Sequence, residues 1–290
     1  MEARVATPGV YDISDAEYHA DALCPVPSLS ASVANLILTN SPRHCWTSHP
    51  RLNPAFERTE AEHFDIGTTA HALLLQGVDV ATVIEYDDWR TKAAKEQRDL
   101  VRASGGVPIL RKHYDRVLAM VSSARDQIST HLDSADMFTG GLPEQTIIWE
   151  EDGIWLRARL DWLHAGSKMI DDYKTTGVSA HPDAFTRTLY GNGYDIQEAF
   201  YRRAVLSATG TEARFRFCVQ ETAPPYCLTV VELDPASKAV GDRKVEEAIR
   251  IWRKCMNGTL PWPAYPNRTC YAVMPPWAEA QWLAYEEFHS

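Results

Sequence analysis

Three β-rich runs follow one another closely in the middle of the chain, and they constrain its fold more than any other feature. They cover residues 146–149, 154–163 and 169–175. The connections between them contain Asp152-Gly153 and Ala165-Gly166-Ser167, both of which are well suited to hairpins. Runs joined in this way form an antiparallel meander. The pattern therefore predicts a sheet at the centre of the protein.

Helical patterns flank the meander on both sides. Ser14-Asp15-Ala16-Glu17 is a capping-box pattern, Ser30 can cap the apolar segment that follows it, and Gly77 ends a Leu-rich helix. Further helices are predicted over residues 91–104, 111–132, 182–190, 195–208, 235–256 and 277–288, and further strands over residues 81–86, 214–220 and 227–232. The fold class is a mixed α/β core, with an N-terminal helical region and with the 195–208 helix packed against the sheet.

Charge and composition exclude several classes of protein. The chain has 29 Lys and Arg against 39 Asp and Glu, for a net charge of −10, so it is not expected to coat nucleic acid or an anionic membrane by bulk electrostatics. No leading apolar run is visible, and we expect neither a secretory signal nor a membrane anchor. The six cysteines form no CxxC pair, which favours a reducing cytoplasm over a disulfide or cluster-binding protein. His44, Cys45 and His49 are expected in a crowded surface turn.

Charged side chains interrupt two runs of the meander. Asp161 lies in the second run, and Asp172 and Lys174 lie in the third. Period two places Asp172 and Lys174 on one strand face, next to Asp161 on the neighbouring strand. Carboxylates are suitable ligands for Mg²⁺ or Mn²⁺, and the Tyr173 carbonyl can add an oxygen. An ordinary surface salt bridge remains the alternative for an Asp-x-Lys triplet.

Two helices carry a second set of candidates. Gly67 and His71 share a helix face, as do Gln197 and Tyr201. A neutral imidazole at position 71 could bind a metal. The alternatives are a core histidine and an ordinary amphipathic helix.

Four motifs follow one another along the chain: Gly67 to His71, Asp161, Asp172-x-Lys174 and Gln197-x-x-x-Tyr201. In this order they resemble the motifs of the PD-(D/E)XK nucleases of the RecB/RecE type. Further phrases resemble the RecE-like (exodeoxyribonuclease VIII-like) branch and extend the likeness over nearly the whole chain. They are Ser28-Leu29-Ser30-Ala31-Ser32, Ser41-Pro42 with Trp46, the segment 217–226, and Pro275-Pro276-Trp277-Ala278. Leu160 stands where the name-giving proline would be. The resemblance implies a restriction-endonuclease-like core and one exonuclease domain over residues 1–290, with a helical region at 1–64 and the nuclease core at 65–290.

The resemblance also implies roles for individual residues in metal-dependent hydrolysis of phosphodiester bonds. Asp161, Asp172 and the Tyr173 carbonyl would bind metal, and His71 would hold a second ion. Glu144, just before the first meander strand, would be an additional ligand or would position water. Lys174 would position water and stabilise charge, with Gln197 and Tyr201 orienting the lysine or the DNA. Two Mg²⁺ ions, replaceable by Mn²⁺, are expected. The candidate phosphate contacts are Arg157, Arg159, Arg187, Arg202 and Arg203.

RecE-like enzymes further imply a substrate and partners. The substrate would be the end of linear double-stranded DNA, resected 5′ to 3′ in a bacterial cytoplasm by a phage or prophage protein, with a single-strand annealing partner and a closed ring of identical chains. Two alternatives stay open: a structure-specific endonuclease and a non-catalytic DNA-binding recombination scaffold. The acidic net charge predicts a restricted basic channel for DNA. Asp171 should face away from Asp172 and be dispensable.

Overall fold

The computed structural model describes residues 7–57 and 62–289. In this part of the chain the strands are β1 (Gly9–Tyr11), β2 (Leu29–Ser30), β3 (Ala81–Ile84), β4 (Val107–Leu110), β5 (Gly141–Glu151), β6 (Ile154–His164), β7 (Met169–Thr176), β8 (Arg214–Glu221) and β9 (Leu228–Val231). The helices are α1 (Asp15–His19), α2 (Ala31–Thr39), α3 (Pro42–Ser48), α4 (Glu62–His71), α5 (Lys92–Ala103), α6 (Arg111–Ser129), α7 (Pro182–Gly191), α8 (Tyr194–Thr209), α9 (Pro235–Met256) and α10 (Pro276–His289). A π-helical turn, Ala72–Gln76, continues α4.

One mixed sheet forms the centre of the molecule, in the order β1-β5-β6-β7-β8-β9. The meander β5-β6-β7 is antiparallel, as predicted, whereas β7 and β8 are parallel. Parallel neighbours need a crossover, and α7 and α8 provide it. β3 and β4 form a separate parallel pair. The predicted mixed α/β fold with a meander flanked by helices is confirmed.

The sheet forks along one edge of β6. β5 pairs with β6 over nearly its full length, so β7 and β2 must share the opposite edge. β7 occupies that edge only as far as the pair Trp162 and Asp171, and β2 joins it in parallel near Arg157, opposite Ser30. β7 therefore diverges from β6 and leaves a gap between them.

The two faces of the sheet bury different cores. Trp149, Phe200, Phe217 and Trp252 lie in the core that α2, α8 and α9 cover. Met120, Val117, Trp162, Tyr173 and Cys218 lie in the core on the α6 side. Alternation along β8 separates the two sets, because Phe217 and Cys218 are neighbours in sequence but belong to different cores.

Local signals position several helices as expected. Ser14 and Glu17 form the predicted capping box at α1, and the Ser30 hydroxyl accepts from Val33 N–H at the start of α2. Gly77, with φ of 67°, ends the helical turn after α4. No helix in the described ranges is long and apolar enough to cross a membrane.

The N-terminal region contributes strands to the sheet as well as helices. β1 pairs with β5 and β2 with β6. The boundary at residue 64 stays a prediction, and residues 1–6 and 58–61 of that region lie outside the described residues.

The expectation of a surface turn around His44, Cys45 and His49 is wrong. Ser41 caps α3 and Pro42 occupies its first turn, a position that proline favours. Cys45 and His49 are fully buried, and His49 Nε2 lies 3.1 Å from the Ser28 carbonyl. Helix α3 therefore buries Cys45 against the core, whereas Arg43, Thr47 and Ser48 are exposed.

The contacts of Asp171 argue against the expectation that it is dispensable. Its side chain points away from Asp172, but that face is covered and Asp171 is completely buried. Arg216 donates through Nε to Asp171 Oδ1 at 2.7 Å, and His164 Nε2 lies 2.5 Å from Oδ2. Phe138 N–H also donates to Oδ2, at 3.2 Å.

We predict that Asp171→Ala destabilises the protein by about 3–5 kcal/mol, because it leaves the Arg216 guanidinium buried without its main partner. Urea denaturation measures the change. Asp126→Ala, at an exposed position on α6, is the control and should change the free energy of unfolding by less than about 0.5 kcal/mol. A loss below about 1 kcal/mol for Asp171→Ala would contradict the role given to this ion pair.

Candidate active site

The fork between β6 and β7 holds the predicted acidic residues. Pairing between the strands stops at Trp162 and Asp171, so the next positions, Asp161 and Asp172, flank the gap. The Tyr173 N–H loses a ladder partner there and instead donates to Asp161 Oδ2 at 2.8 Å. Buried backbone donors need acceptors, and this carboxylate satisfies one.

Glu144 lies opposite Asp161, inside β5 rather than before it as expected. β5 and β6 are paired on either side of this position, at Pro143 with Trp162 and at Gln145 with Leu160, but the pairing is interrupted between them. Glu144 has a φ of 55°. A left-handed conformation is unusual for a glutamate and costs of order 1 kcal/mol or more, which strands tolerate mainly at functional positions.

His71, the last residue of α4, lies between two carboxylates. Its Nε2 is 2.7 Å from Asp161 Oδ2 and its Nδ1 is 3.0 Å from Glu144 Oε1. Burial lowers the pKa of His71, but Asp161 and Glu144 outweigh burial and raise that pKa to about 10. Burial likewise raises the pKa of Asp161, yet His71 and Lys174 bring it below its ordinary value. Without a metal the imidazole is therefore a cation.

Asp172 and Lys174 form a second ion pair on β7. Lys174 Nζ is 2.6 Å from Asp172 Oδ2, and Gln197 Nε2 on α8 donates to Asp172 Oδ1 at 2.9 Å. Burial and repulsion by Asp161 raise the pKa of Asp172 to about 6, although Lys174 opposes them. Burial would lower the pKa of Lys174, but Asp172 and Asp161 raise it above its ordinary value.

Two tyrosines complete the predicted set. Tyr201 is buried in the wall of the same cleft, and burial raises the pKa of its phenol well above the ordinary value. The Tyr173 side chain lies on the other face of the sheet, where its hydroxyl donates to Gln220 Oε1 at 2.6 Å. The N–H and C=O of one strand residue point to the same edge. The Tyr173 carbonyl therefore faces the fork together with its N–H.

Four of the five candidate arginines are held by acidic side chains. Arg157 is buried and pairs with Asp21 at 3.0 Å, and Arg159 pairs with Glu144 at 2.7 Å. Arg202 pairs with Glu198 and Asp242, and Arg203 with Glu151. Arg187, on α7, is exposed and has no ion-pair partner among the described residues. Of the five, only Arg159 lines the cleft.

The cleft beside the fork has a volume of about 1520 Å³. Its acidic lining residues are Asp12, Asp15, Glu17, Glu144 and Asp161, whereas Arg159 is the only Lys or Arg among the described residues that line it. The expected basic channel is therefore not what these residues form. A phosphate entering the cleft meets excess negative charge.

The donor atoms suit a hard divalent cation, although no metal cage is preassembled. Across residues 7–57 and 62–289, no three His, Cys, Asp or Glu side chains are arranged around one metal position. Asp172 Oδ2 is buried without an aligned hydrogen bond, and the pKa of Asp172 is raised in part by Asp161. Adjacent carboxylates that repel each other in a buried site favour a cation between them. His71 can join as a ligand only after it releases a proton.

Sequence reasoning missed one aromatic neighbour of the site. The Tyr194 ring centroid lies 5.0 Å from Lys174 Nζ. Tyr194 precedes Gln197 by three positions on α8 and so shares its face. That spacing is the signal that could have identified it.

We predict that, in EDTA, the wild type loses about 1–3 kcal/mol of unfolding free energy relative to Asp172→Asn between pH 4 and pH 7, because the buried carboxylate becomes ionised at a cost over that range. The folded-state pKa lies above the unfolded one, so the cost is full above pH 6. It fades as the pH falls toward 4 and Asp172 takes up a proton. Thermal and urea denaturation of both proteins from pH 4 to pH 8 measure the difference. Asp126→Asn is the matched control. A difference in unfolding free energy between the two proteins that stays constant from pH 4 to pH 7 would contradict the assignment.

Comparisons with known proteins bear on this fold and site. The family described as "PDDEXK-like domain of unknown function (DUF3799)" matches residues 47–272. A solved structure of a candidate exonuclease from Eubacterium rectale is similar, with a TM-score of 0.62 and 14% identity over 91% of this chain and 97% of that one. A phage-related exonuclease from Haemophilus somnus 129PT gives a TM-score of 0.31 and 12% identity over 80% and 96%. No curated protein matches the chain.

The Eubacterium rectale structure shares the fold, and the family match extends over well over half of the sequence. Both agree with the PD-(D/E)XK core predicted from the motif order. The sequence-based identification of that superfamily is confirmed, and the chain belongs to the DUF3799 family of PDDEXK-like domains.

Proposed function

We propose that this protein is a divalent-metal-dependent deoxyribonuclease. The observation that carries the proposal is the buried Asp172–Lys174 pair, 2.6 Å apart, at a fork where Asp161 faces a large cleft. A surface salt bridge would be exposed, but Asp172 is completely buried. Burying an ion pair beside a further carboxylate costs stability. A catalytic role best explains why the protein tolerates this cost.

Each residue has a chemical task in phosphodiester hydrolysis. A divalent cation held by Asp161 and Asp172 would stabilise charge on the phosphate and acidify water. The Lys174 ammonium can orient the attacking water and stabilise the negative charge that develops at phosphorus. Gln197 fixes Asp172 through its amide, and the Tyr173 N–H fixes Asp161.

The size of the cleft supports a polymeric substrate. Pockets for small ligands usually measure about 300–1,000 Å³, and this cleft is larger, at about 1520 Å³. The similar structures are named as exonucleases. We therefore infer that the substrate is DNA, with Mg²⁺ as the metal, Mn²⁺ as a substitute and two ions per site.

The finer proposal follows the RecE-like resemblance. It comprises resection of linear double-stranded DNA from 5′ to 3′, a single-strand annealing partner, a ring of identical chains and a phage or prophage origin in a bacterial cytoplasm. Arg187 is the most accessible of the candidate phosphate contacts. Comparing linear with covalently closed circular DNA separates an exonuclease from a structure-specific endonuclease, and DNA binding without cleavage would indicate a scaffold.

We predict that Lys174→Met lowers the rate of cleavage of linear duplex DNA by about 10²–10³-fold, the usual cost of removing one group that stabilises transition-state charge. Duplexes labelled at the 5′ or the 3′ end, incubated with Mg²⁺ or with EDTA, report both the rate and the strand that is degraded. The wild type should cleave only with Mg²⁺.

Lys168→Met is the matched control, because Lys168 is exposed just before β7. It should cleave at the wild-type rate. A Lys174→Met variant that stays within about tenfold of the wild type would refute the role of Lys174.

We further predict that DNA binding depends on the metal. Lys174→Met should bind a labelled duplex at least about tenfold more tightly in Mg²⁺ than in EDTA at matched ionic strength. The reason is the acidic lining of the cleft, which a bound cation partly neutralises. Fluorescence anisotropy measures the affinity. Equal affinities in the two buffers would show that DNA binds elsewhere.

A further inference from the structure

The Lys174 ammonium touches an aromatic face as well as a carboxylate. Its Nζ lies 2.6 Å from Asp172 Oδ2 and 5.0 Å from the centroid of the Tyr194 ring. The Lys174 side chain is only 17% exposed. An ammonium within about 6 Å of a ring centroid is attracted by the negative face of the ring, and the attraction strengthens when water is excluded. Two groups of different kinds thus hold this cation.

The Tyr194 ring is itself held firmly. It stacks on Phe185 with centroids 6.1 Å apart and planes at 28°, and it lies 5.9 Å from the Phe217 ring. Aromatic neighbours at these separations fix the orientation of a ring. The phenol oxygen accepts from Asn192 Nδ2 at 3.3 Å.

The backbone before Tyr194 fixes where the ring begins. Gly193 precedes α8 with a φ of 71°, and a Cβ there would come within 2.2 Å of Asn35 Oδ1. Glycine adopts the left-handed backbone without strain and leaves room for the Asn35 side chain. This backbone conformation places Tyr194, the first residue of α8, at the wall of the cleft.

We propose that Tyr194 is a positioning residue that holds the Lys174 ammonium in place for the chemical step. This inference rests on the proposed nuclease function, because Tyr194 acts only through Lys174. Asp172 alone would draw the ammonium toward itself and away from the water that it orients. The ring face supplies a second attraction from another direction, and the ammonium is held between the two.

The role assigned to Tyr194 needs the ring face and does not need the hydroxyl. Tyr194→Phe should keep kcat within about twofold of the wild type, and Tyr194→Leu should lower kcat by about 2–30-fold with KM unchanged. Tyr190→Leu is the matched control. Tyr190 lies on α7, and its ring centroid is 6.0 Å from the Nζ of Lys244 on α9. Tyr190 does not line the cleft. This variant should have wild-type kinetics.

A fluorinated series separates electrostatics from packing, because Tyr194→Leu could also disturb the start of α8. Phenylalanine analogues with one to five ring fluorines, incorporated at position 194, keep the shape of the ring and progressively remove its negative face. We expect kcat on linear duplex DNA with Mg²⁺ to fall stepwise along the series while the melting temperature stays constant. In a Lys174→Met background, Tyr194→Leu should have no further effect.

The outcomes are distinguishable. No cleavage by the wild type would overturn the proposed function and this inference with it. An active wild type, together with a pentafluorinated variant as fast as Tyr194→Phe, would overturn the inference alone. So would a Tyr194→Leu loss that persists undiminished in the Lys174→Met background.

Discussion

The divergence of two neighbouring strands is the constraint on which the rest of the site depends. β6 and β7 pair only near the turn that joins them, and beyond Trp162 and Asp171 they separate. An open sheet edge inside a protein leaves backbone groups without partners, which is costly. The Asp161 carboxylate satisfies the Tyr173 N–H and at the same time faces the cleft. The carboxylate that accepts the unpaired backbone N–H of the sheet therefore also supplies an acidic group to the site.

Charge at this fork is balanced internally in the absence of metal. His71 bridges Glu144 and Asp161, and Lys174 pairs with Asp172. Burial and repulsion by Asp161 nonetheless raise the pKa of Asp172 to about 6. The cleft is acidic, as is the whole chain with its net charge of −10. Acidic side chains dominate the cleft lining, and most of the candidate arginines are paired with acidic residues. An anionic substrate would therefore depend on added cations more than on a basic channel.

The sequence predicted the elements with strong local patterns. Hairpin turns, β-branched and aromatic runs, and caps such as Ser14 and Ser30 depend on residues near in sequence, and the structure confirms them. Motif order also brought together His71, Asp161, Asp172, Lys174 and Gln197, which the structure places in two contacting groups at the fork: His71 with Asp161, and Asp172 with Lys174 and Gln197. The short strands β1, β2 and β4, with two to four residues each, are too brief to show a period. Partners distant in sequence escaped prediction for a similar reason: Arg216 lies 45 positions from Asp171. Period two gave the face of Asp171 correctly but could not show that this face is buried.

A divalent cation bound at the fork by Asp161 and Asp172 is central to the chemistry that we propose. Anomalous X-ray diffraction from crystals grown with Mn²⁺ tests it most directly, because the metal position is observed without reference to activity. We predict an anomalous peak in contact with carboxylate oxygens of both Asp161 and Asp172, and the loss of this peak in crystals of Asp172→Asn. A fork without a peak at a saturating Mn²⁺ concentration, or a peak that persists unchanged in that variant, would contradict it.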